Sequence, residues 1–409
     1  MNPDAGNQRT CGDGRLISGW LALPEGLREG TLRIRDGRIE AVEIRSPASG
    51  DAPDGPWIVP GFVDTHVHGV ESLRFDEYDA LVEGARRLAR LGVAAFCPTL
   101  LSGGPEMLAR FASARKAAAS TVERERAEWI RAGGRAGSAC ARILGAHFEG
   151  PFVSPERPGA MDPGTIRVPS AAAARQWLRE AAEPPALMTW APELPGALDA
   201  GRVLAEAGVI LSLGHCRADA TAVRSAVALG ARSVTHLHNT WLRPSECRAD
   251  PAMASTLEAV LASPELFPTV IADLVHVADD GLAALCRNPG PARLIAITDS
   301  VEGAGAPPGE YRTRGGQVYR VETDAARLGD GTLLGSTLAM PGAFANLLAV
   351  GGPEIDPADA ARMTSTNACR LLGLPDLGII RPGAAADVAV MDRSGRLRAV
   401  FCGGAPVDL

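Results

Sequence analysis

Short apolar runs and amphipathic stretches alternate along most of this chain. From about Gly61 to Leu374, VAAFCPTLL, RILGAHFEG, ALMTWAPE, VILSLGHC, SVTHLHN, TVIADLVHV and LIAITDS have the length and texture of strands, with FVDTHVHG before them. Between them, YDALVEGARRLARLG, SAAAARQWLREAA and ATAVRSAVALG place apolar residues at helical spacing. Repeated strand–helix units imply parallel strands joined by crossover helices, and about eight such strands favour a closed barrel over an open sheet. The stretch from about Phe111 to Ala141 reads as a helix followed by a loop, and LIAITDS as the last apolar run before a long glycine-rich loop.

The two chain ends have another texture. RLISGWLAL, TLRIRDGRIEAVEI and PWIVPGF near the start, and LGIIRPGAAADVAVMD and RLRAVFCGGAPV near the end, are short β-like runs separated by turns. Asp36-Gly37 lies between two of them and is a hairpin signal. The expected organisation is therefore α/β: a barrel domain over residues 61–374 and a small β domain assembled from residues 1–60 and 375–409.

Bulk properties narrow the function. A chain of 409 residues suits a barrel of roughly 250 residues or more plus an accessory domain. A formal charge of -7 gives no basic field for nucleic acid. No segment has the features of a secretory signal, and no apolar run approaches the roughly 20 residues that span a bilayer. The 8 cysteines form no CxxC pair and read as free thiols, so a soluble, cytoplasmic protein is expected.

The chemistry lies in the histidines. His66, His68, His147, His215, His236, His238 and His276 all fall at or near the ends of predicted strands. In a parallel barrel the C-terminal strand ends form the face that carries the active site. A lone histidine at such a place is more often structural, but all seven together are not readily explained that way. His66-Val67-His68 on a strand puts two imidazoles on one face, which suits zinc or another first-row ion. Glu149 ends GAHFEG where Gly150 and Pro151 turn the chain; a helix cap or surface acid is the bland alternative. With His215 and His236 it makes one carboxylate and two imidazoles, which leaves a coordination position open, as catalytic zinc requires. Asp299 ends LIAITDS, where it can shuttle a proton, or merely cap a short helix in DSVEGAG. Lys116, the single lysine, sits in a helical stretch and is a poor carbamate bridge, so any bridge between two ions falls to Glu149.

In the order PGFVDTHVHG, CPTL, GAHFEGPF, SLGHCRADA, THLHN, IADLVHV, ITDSVEGAG, DGTLLGSTLAM and STNACRLLGL through RPGAAADVAVMD, the chain resembles the N-acetylglucosamine-6-phosphate deacetylases. The resemblance implies a TIM-like (β/α)8 barrel with a small β-sandwich domain, a homodimer, and hydrolysis of the acetamide on an amino-sugar phosphate. It implies Glu149, His215 and His236 as primary metal ligands, His66 and His68 as ligands of a second ion, and Asp299 as general acid/base. His276 corresponds to a substrate-contacting histidine, and Asn239 lies in the loop that meets the phosphate. Zinc is the expected ion, with iron, manganese and cobalt as alternatives, in one or two copies.

Two positions depart from the family pattern. Met161 stands where the family has a histidine that polarises the amide carbonyl, and a thioether cannot donate a hydrogen bond. His238 is the proposed replacement, because two residues from His236 on an extended backbone it would face the same side. The family's phosphate-region arginine is replaced by Cys247, with Arg248 one residue later and Arg243 nearby. The shift leaves open an unphosphorylated or specialised N-acyl amine as substrate; a catalytically inactive relative serving as a binding protein is the third reading, against which the retained Glu149, His215, His236 and Asp299 stand.

Overall fold

The computed structural model describes residues 9–11, 14–45, 55–101, 103–313, 316–323 and 325–409. Eight strands form the barrel: β1 (Phe62–Val67), β2 (Val93–Leu101), β3 (His147–Glu149), β4 (Leu187–Trp190), β5 (Ile210–Leu213), β6 (Ser233–Val234), β7 (Phe267–Ile271) and β8 (Ile295–Ile297). Each pairs in parallel with the next in chain order. The seam closes just past the strand ends, where His68 N donates to Ser300 O at 2.8 Å and Asp299 N to His66 O at 2.9 Å. Strands covered on both faces read as continuous apolar runs, and β2 is buried over all but its last residue.

Amphipathic helices surround the barrel. Tyr78–Arg90 buries Leu81, Val82, Ala85, Leu88 and Ala89, which recur at the three- and four-residue spacing of one helix face. Ala171–Glu180 and Ala220–Leu229 begin at Ser170 and Asp219, whose side chains accept the backbone N–H of Ala173 and Ala222. Among the described residues no helix is long and apolar enough to cross a membrane.

The chain ends meet in a second sheet. Trp57–Pro60 lies at its middle, pairing in parallel with Gly14–Leu23 and antiparallel with Val388–Met391. Gly26–Arg35 and Arg38–Ile44 extend one side, and Leu397–Cys402 and Ala405–Val407 the other. Asp36 and Gly37 both have positive φ (50° and 75°) between the paired Arg35 and Arg38, the conformation a tight hairpin needs. The sheet curls so that Ile39 N reaches Ala384 O at 2.9 Å and Ala386 N reaches Gly37 O at 2.9 Å. Ile17, Leu21, Leu32, Ile34, Ile58, Val388, Val390 and Phe401 fill one core inside it.

A buried ion cluster ties this sheet to the barrel. Asp387, at the start of Val388–Met391, accepts from Arg126 on the helix Pro105–Arg131, from Arg142 at 2.6 Å and from Gly403 N at 2.7 Å.

Two local expectations change. RILGAHFEG is broken into Arg142–Ile143 and β3, so His147 begins a strand segment instead of ending one. The long loop expected after LIAITDS contains a four-stranded antiparallel sheet: Gly309–Arg312, Val318–Val321, Ala325–Leu328 and Leu333–Ser336. Its apolar alternation buries Tyr319, Val321, Ala326 and Leu328 against Val301, just beyond Asp299.

Candidate metal centre

At the C-terminal mouth of the barrel six side chains converge. Glu149 Oε1 lies 2.9 Å from His236 Nε2 and 3.2 Å from His215 Nε2. Its other oxygen, Oε2, lies 3.6 Å from His66 Nε2 and 3.5 Å from His68 Nε2. Asp299 Oδ1 is 3.3 Å from each of the latter two nitrogens. Two donor groups result, Glu149–His215–His236 and His66–His68–Asp299, each with donor atoms within 4.8 Å of one another. Glu149 touches both. Five of these residues are buried and only His68 is partly open. Asp299 precedes turns and no helix, so it is not a helix cap, and buried Glu149 is not a surface acid.

Local backbone aims these groups. His215 (φ 48°), His236 (φ 30°) and Asp299 (φ 49°) all adopt the left-handed conformation that ordinary residues avoid, a strain that gathers at functional sites. His215 donates Nδ1–H to Arg157 O at 2.8 Å, which leaves the Nε2 lone pair facing Glu149. The segment that supplies this carbonyl presses Gly159 against the ring, where a Cβ would lie 2.9 Å from His215 Cε1. His236 N donates to Thr269 Oγ1 at 2.8 Å. Asp64 bridges the seam, accepting from His66 N at 3.2 Å and from Thr298 Oγ1 at 2.5 Å.

The donor set fits a divalent ion. Convergent imidazole nitrogens and carboxylate oxygens are the ligands zinc and its first-row neighbours prefer. The electrostatics agree. Burial alone would raise the Glu149 carboxyl, yet His66, His215 and His236 outweigh it and hold it well below the ordinary range. Burial disfavours a charged His66, but Glu149 and Asp299 push its imidazole up to about 9. The two buried carboxylates thus draw positive charge to this spot. Lys116 is exposed on the helix Pro105–Arg131 and supplies no ligand.

The remaining candidates lie on the surrounding loops. His276 donates Nδ1–H to Asp273 Oδ2 at 2.6 Å, after β7. Asn239 follows His236, with its N on His236 O at 3.0 Å and its own carbonyl accepting Arg243 Nε at 2.5 Å. Arg243 and Arg248 are both exposed, at the two ends of the short helix Pro244–Ala249. Met161 is buried in the segment that covers His215.

His238 departs from expectation. Its backbone is left-handed (φ 74°), as is that of His236, so the extended alternation that was to align the two rings is absent. Its Nδ1–H donates to Leu242 O at 2.5 Å, and burial lowers its tendency to protonate. With Nδ1 engaged on Leu242 O, Nε2 of the neutral ring is an acceptor, which speaks against His238 as the carbonyl-polarising donor in place of the histidine absent at 161. Arg157 O, Gly159, Asp64 and Thr298 were not singled out from the sequence. The first two act through backbone alone, whereas Asp64 sits in VDTHVH and was within reach.

Residues 57–407 match the amidohydrolase family. The chain is 31% identical over 369 residues to the N-acetylglucosamine-6-phosphate deacetylase of Lysinibacillus sphaericus, covering 88% of each chain. It is also 31% identical to the N-acetylgalactosamine-6-phosphate deacetylase of Escherichia coli O157:H7, over 95% of this chain and 97% of that one. Among solved structures, a mutant N-acetyl-D-glucosamine-6-phosphate deacetylase from Mycobacterium smegmatis, in complex with N-acetyl-D-glucosamine-6-phosphate, superposes with a TM-score of 0.81 at 30% identity. That match covers 97% of this chain and 100% of the other. The Thermotoga maritima N-acetylglucosamine-6-phosphate deacetylase gives 0.78 at 26% identity, over 96% and 99%.

Proposed function

The chain belongs to the amidohydrolase family, and we propose that it is a metal-dependent deacetylase of amino-sugar phosphates. Its reaction is hydrolysis of the acetamide of N-acetylglucosamine 6-phosphate, or a close N-acetyl amino-sugar phosphate, to the free amine and acetate. The observation that carries this reading is the position of Glu149, with each carboxylate oxygen facing a different pair of imidazoles.

In this reading Glu149, His215 and His236 would hold the primary ion, and His66 and His68 a second, beside Asp299. Zinc is the expected metal. A bound divalent ion supplies Lewis acidity, polarising the acetyl carbonyl and acidifying water. The protein's own groups do the rest. Asp299, kept ionised by His66 and His68 against the effect of burial, takes a proton from the attacking water and returns it to the leaving amine. His276 and Asn239 contact the sugar from loops beyond the strand ends. His238 offers Nε2 as an acceptor for a sugar hydroxyl. Buried Met161 gives the acetyl pocket an apolar wall in place of a donor.

The phosphate falls to Arg243 and Arg248. Arg243 already spends Nε on Asn239 O, whereas Arg248 has no partner among the described residues and presents a free planar fork. Met161 and the arginine shift favour a second reading, the same amide cleavage on an unphosphorylated N-acyl amine. Turnover of N-acetylglucosamine with and without the 6-phosphate, and of the galactosamine epimer, tests the choice. Phosphate-dependent turnover, weakened at constant kcat in Arg248→Ala, supports the phosphate reading; equal turnover without phosphate sinks it. The same reading has the enzyme as a homodimer in the cytoplasm, where the seven cysteines with described side chains, all free, would stay reduced.

A further inference from the structure

We propose that His147, which has no part in the chemistry above, is the positioning residue that holds the His66 ring ready for an ion. The inference rests on the metal-centre reading of the six-residue cluster.

A metal-binding imidazole ordinarily anchors its second nitrogen to a carboxylate, a carbonyl or water. His215 does so through Arg157 O. His66, like His236, does not: among the described residues its Nδ1 has no hydrogen-bond partner and is sealed from solvent. Its ring instead meets that of His147, centroids 4.6 Å apart and planes at 70°, an edge-to-face contact.

His147 is itself pinned at both nitrogens. Its Nδ1 lies 3.1 Å from Thr65 O, and a carbonyl can only accept, so Nδ1 carries the proton. Nε2 of the neutral ring then accepts from the Thr189 hydroxyl at 2.9 Å. A hydroxyl has one proton to give, so Thr189 accepts from Thr235 at 2.8 Å, and Thr235 from Ser212 at 2.7 Å. The hydrogen bonds therefore run in one direction, from β5 through the end of β6 and β4 to His147, and on to β1. Thr65 immediately precedes His66 and Thr235 immediately precedes His236, so this belt lies directly beneath ligands on opposite halves of the centre. Turning the His147 ring would break both of its hydrogen bonds, to Thr65 and to Thr189. The ring is thus a fixed wall against which His66 sets its angle.

Cobalt(II) titrated into metal-free protein, followed by calorimetry and by its visible absorption, tests this. His147→Asn keeps a donor for Thr65 and an acceptor for Thr189 but removes the ring; His147→Phe keeps a ring and loses both bonds. Cobalt affinity should fall by about ten- to a hundredfold, the usual cost of losing outer support for a ligand, with an altered absorption spectrum in protein of near wild-type melting temperature. Folded variants that bind cobalt with wild-type affinity and spectrum would overturn the proposal. Failure of the wild-type protein to bind cobalt is seen before any variant is made, and would overturn the metal-centre reading with it.

Discussion

Asp299→Asn keeps the shape of the carboxylate and removes its basicity. Acetate release by this variant should fall by about a hundred- to ten-thousandfold in kcat, with little change in KM. Gly159→Ala is a harsher test of positioning. It places a Cβ 2.9 Å from His215 Cε1 at a backbone φ of 58°, so the ring must move. Zinc binding measured by competition should weaken by about tenfold or more while the fold survives. Residue identity makes Glu149 and His215 legible because their chemistry is in the side chain. Arg157 is illegible because it acts through its carbonyl, and the alignment expected between His238 and His236 is absent because the backbone there is left-handed and not extended.

Hydrophobic patterning located the barrel strands, since a doubly covered strand must be apolar throughout, as β2 is. It did not reveal the sheet from Gly309 to Ser336, whose four strands are only four residues each. Nor could it pair Asp387 with Arg126, which are brought together by the way the chain ends return onto the barrel. That cluster makes a stability claim. Removing the carboxylate in Asp387→Ala strands two guanidinium groups, one of them fully buried, and should cost about 3–5 kcal/mol, read from urea midpoints at neutral pH. Burial alone would raise the Asp387 carboxyl, but Arg126 and Arg142 hold it far below its ordinary value. Its contribution is therefore complete above the unfolded value of about 3.9 and is lost as pH falls below that toward the folded value. Wild-type midpoints should drop more steeply than those of the variant as pH is lowered through that window.

At the scale of the whole molecule, the two sheets and the order of the strand ends were readable because chain order in a parallel barrel is also spatial order. What lay beyond reach was how the loops shape the substrate pocket, since loop geometry follows no periodic pattern. Chelation should abolish turnover and lower the melting temperature. Zinc at about a hundred times its dissociation constant should restore about 2.7 kcal/mol of stability to the metal-free protein. Sedimentation of the purified chain at micromolar concentration should give a dimer, and a monomer would remove that part of the reading. The most direct test of the central claim is acetate release from N-acetylglucosamine 6-phosphate by chelated protein before and after zinc is returned, with Glu149→Gln alongside. The account expects turnover that appears only with zinc and is lost in Glu149→Gln. Zinc-independent turnover, or a variant as active as the wild type, would contradict it.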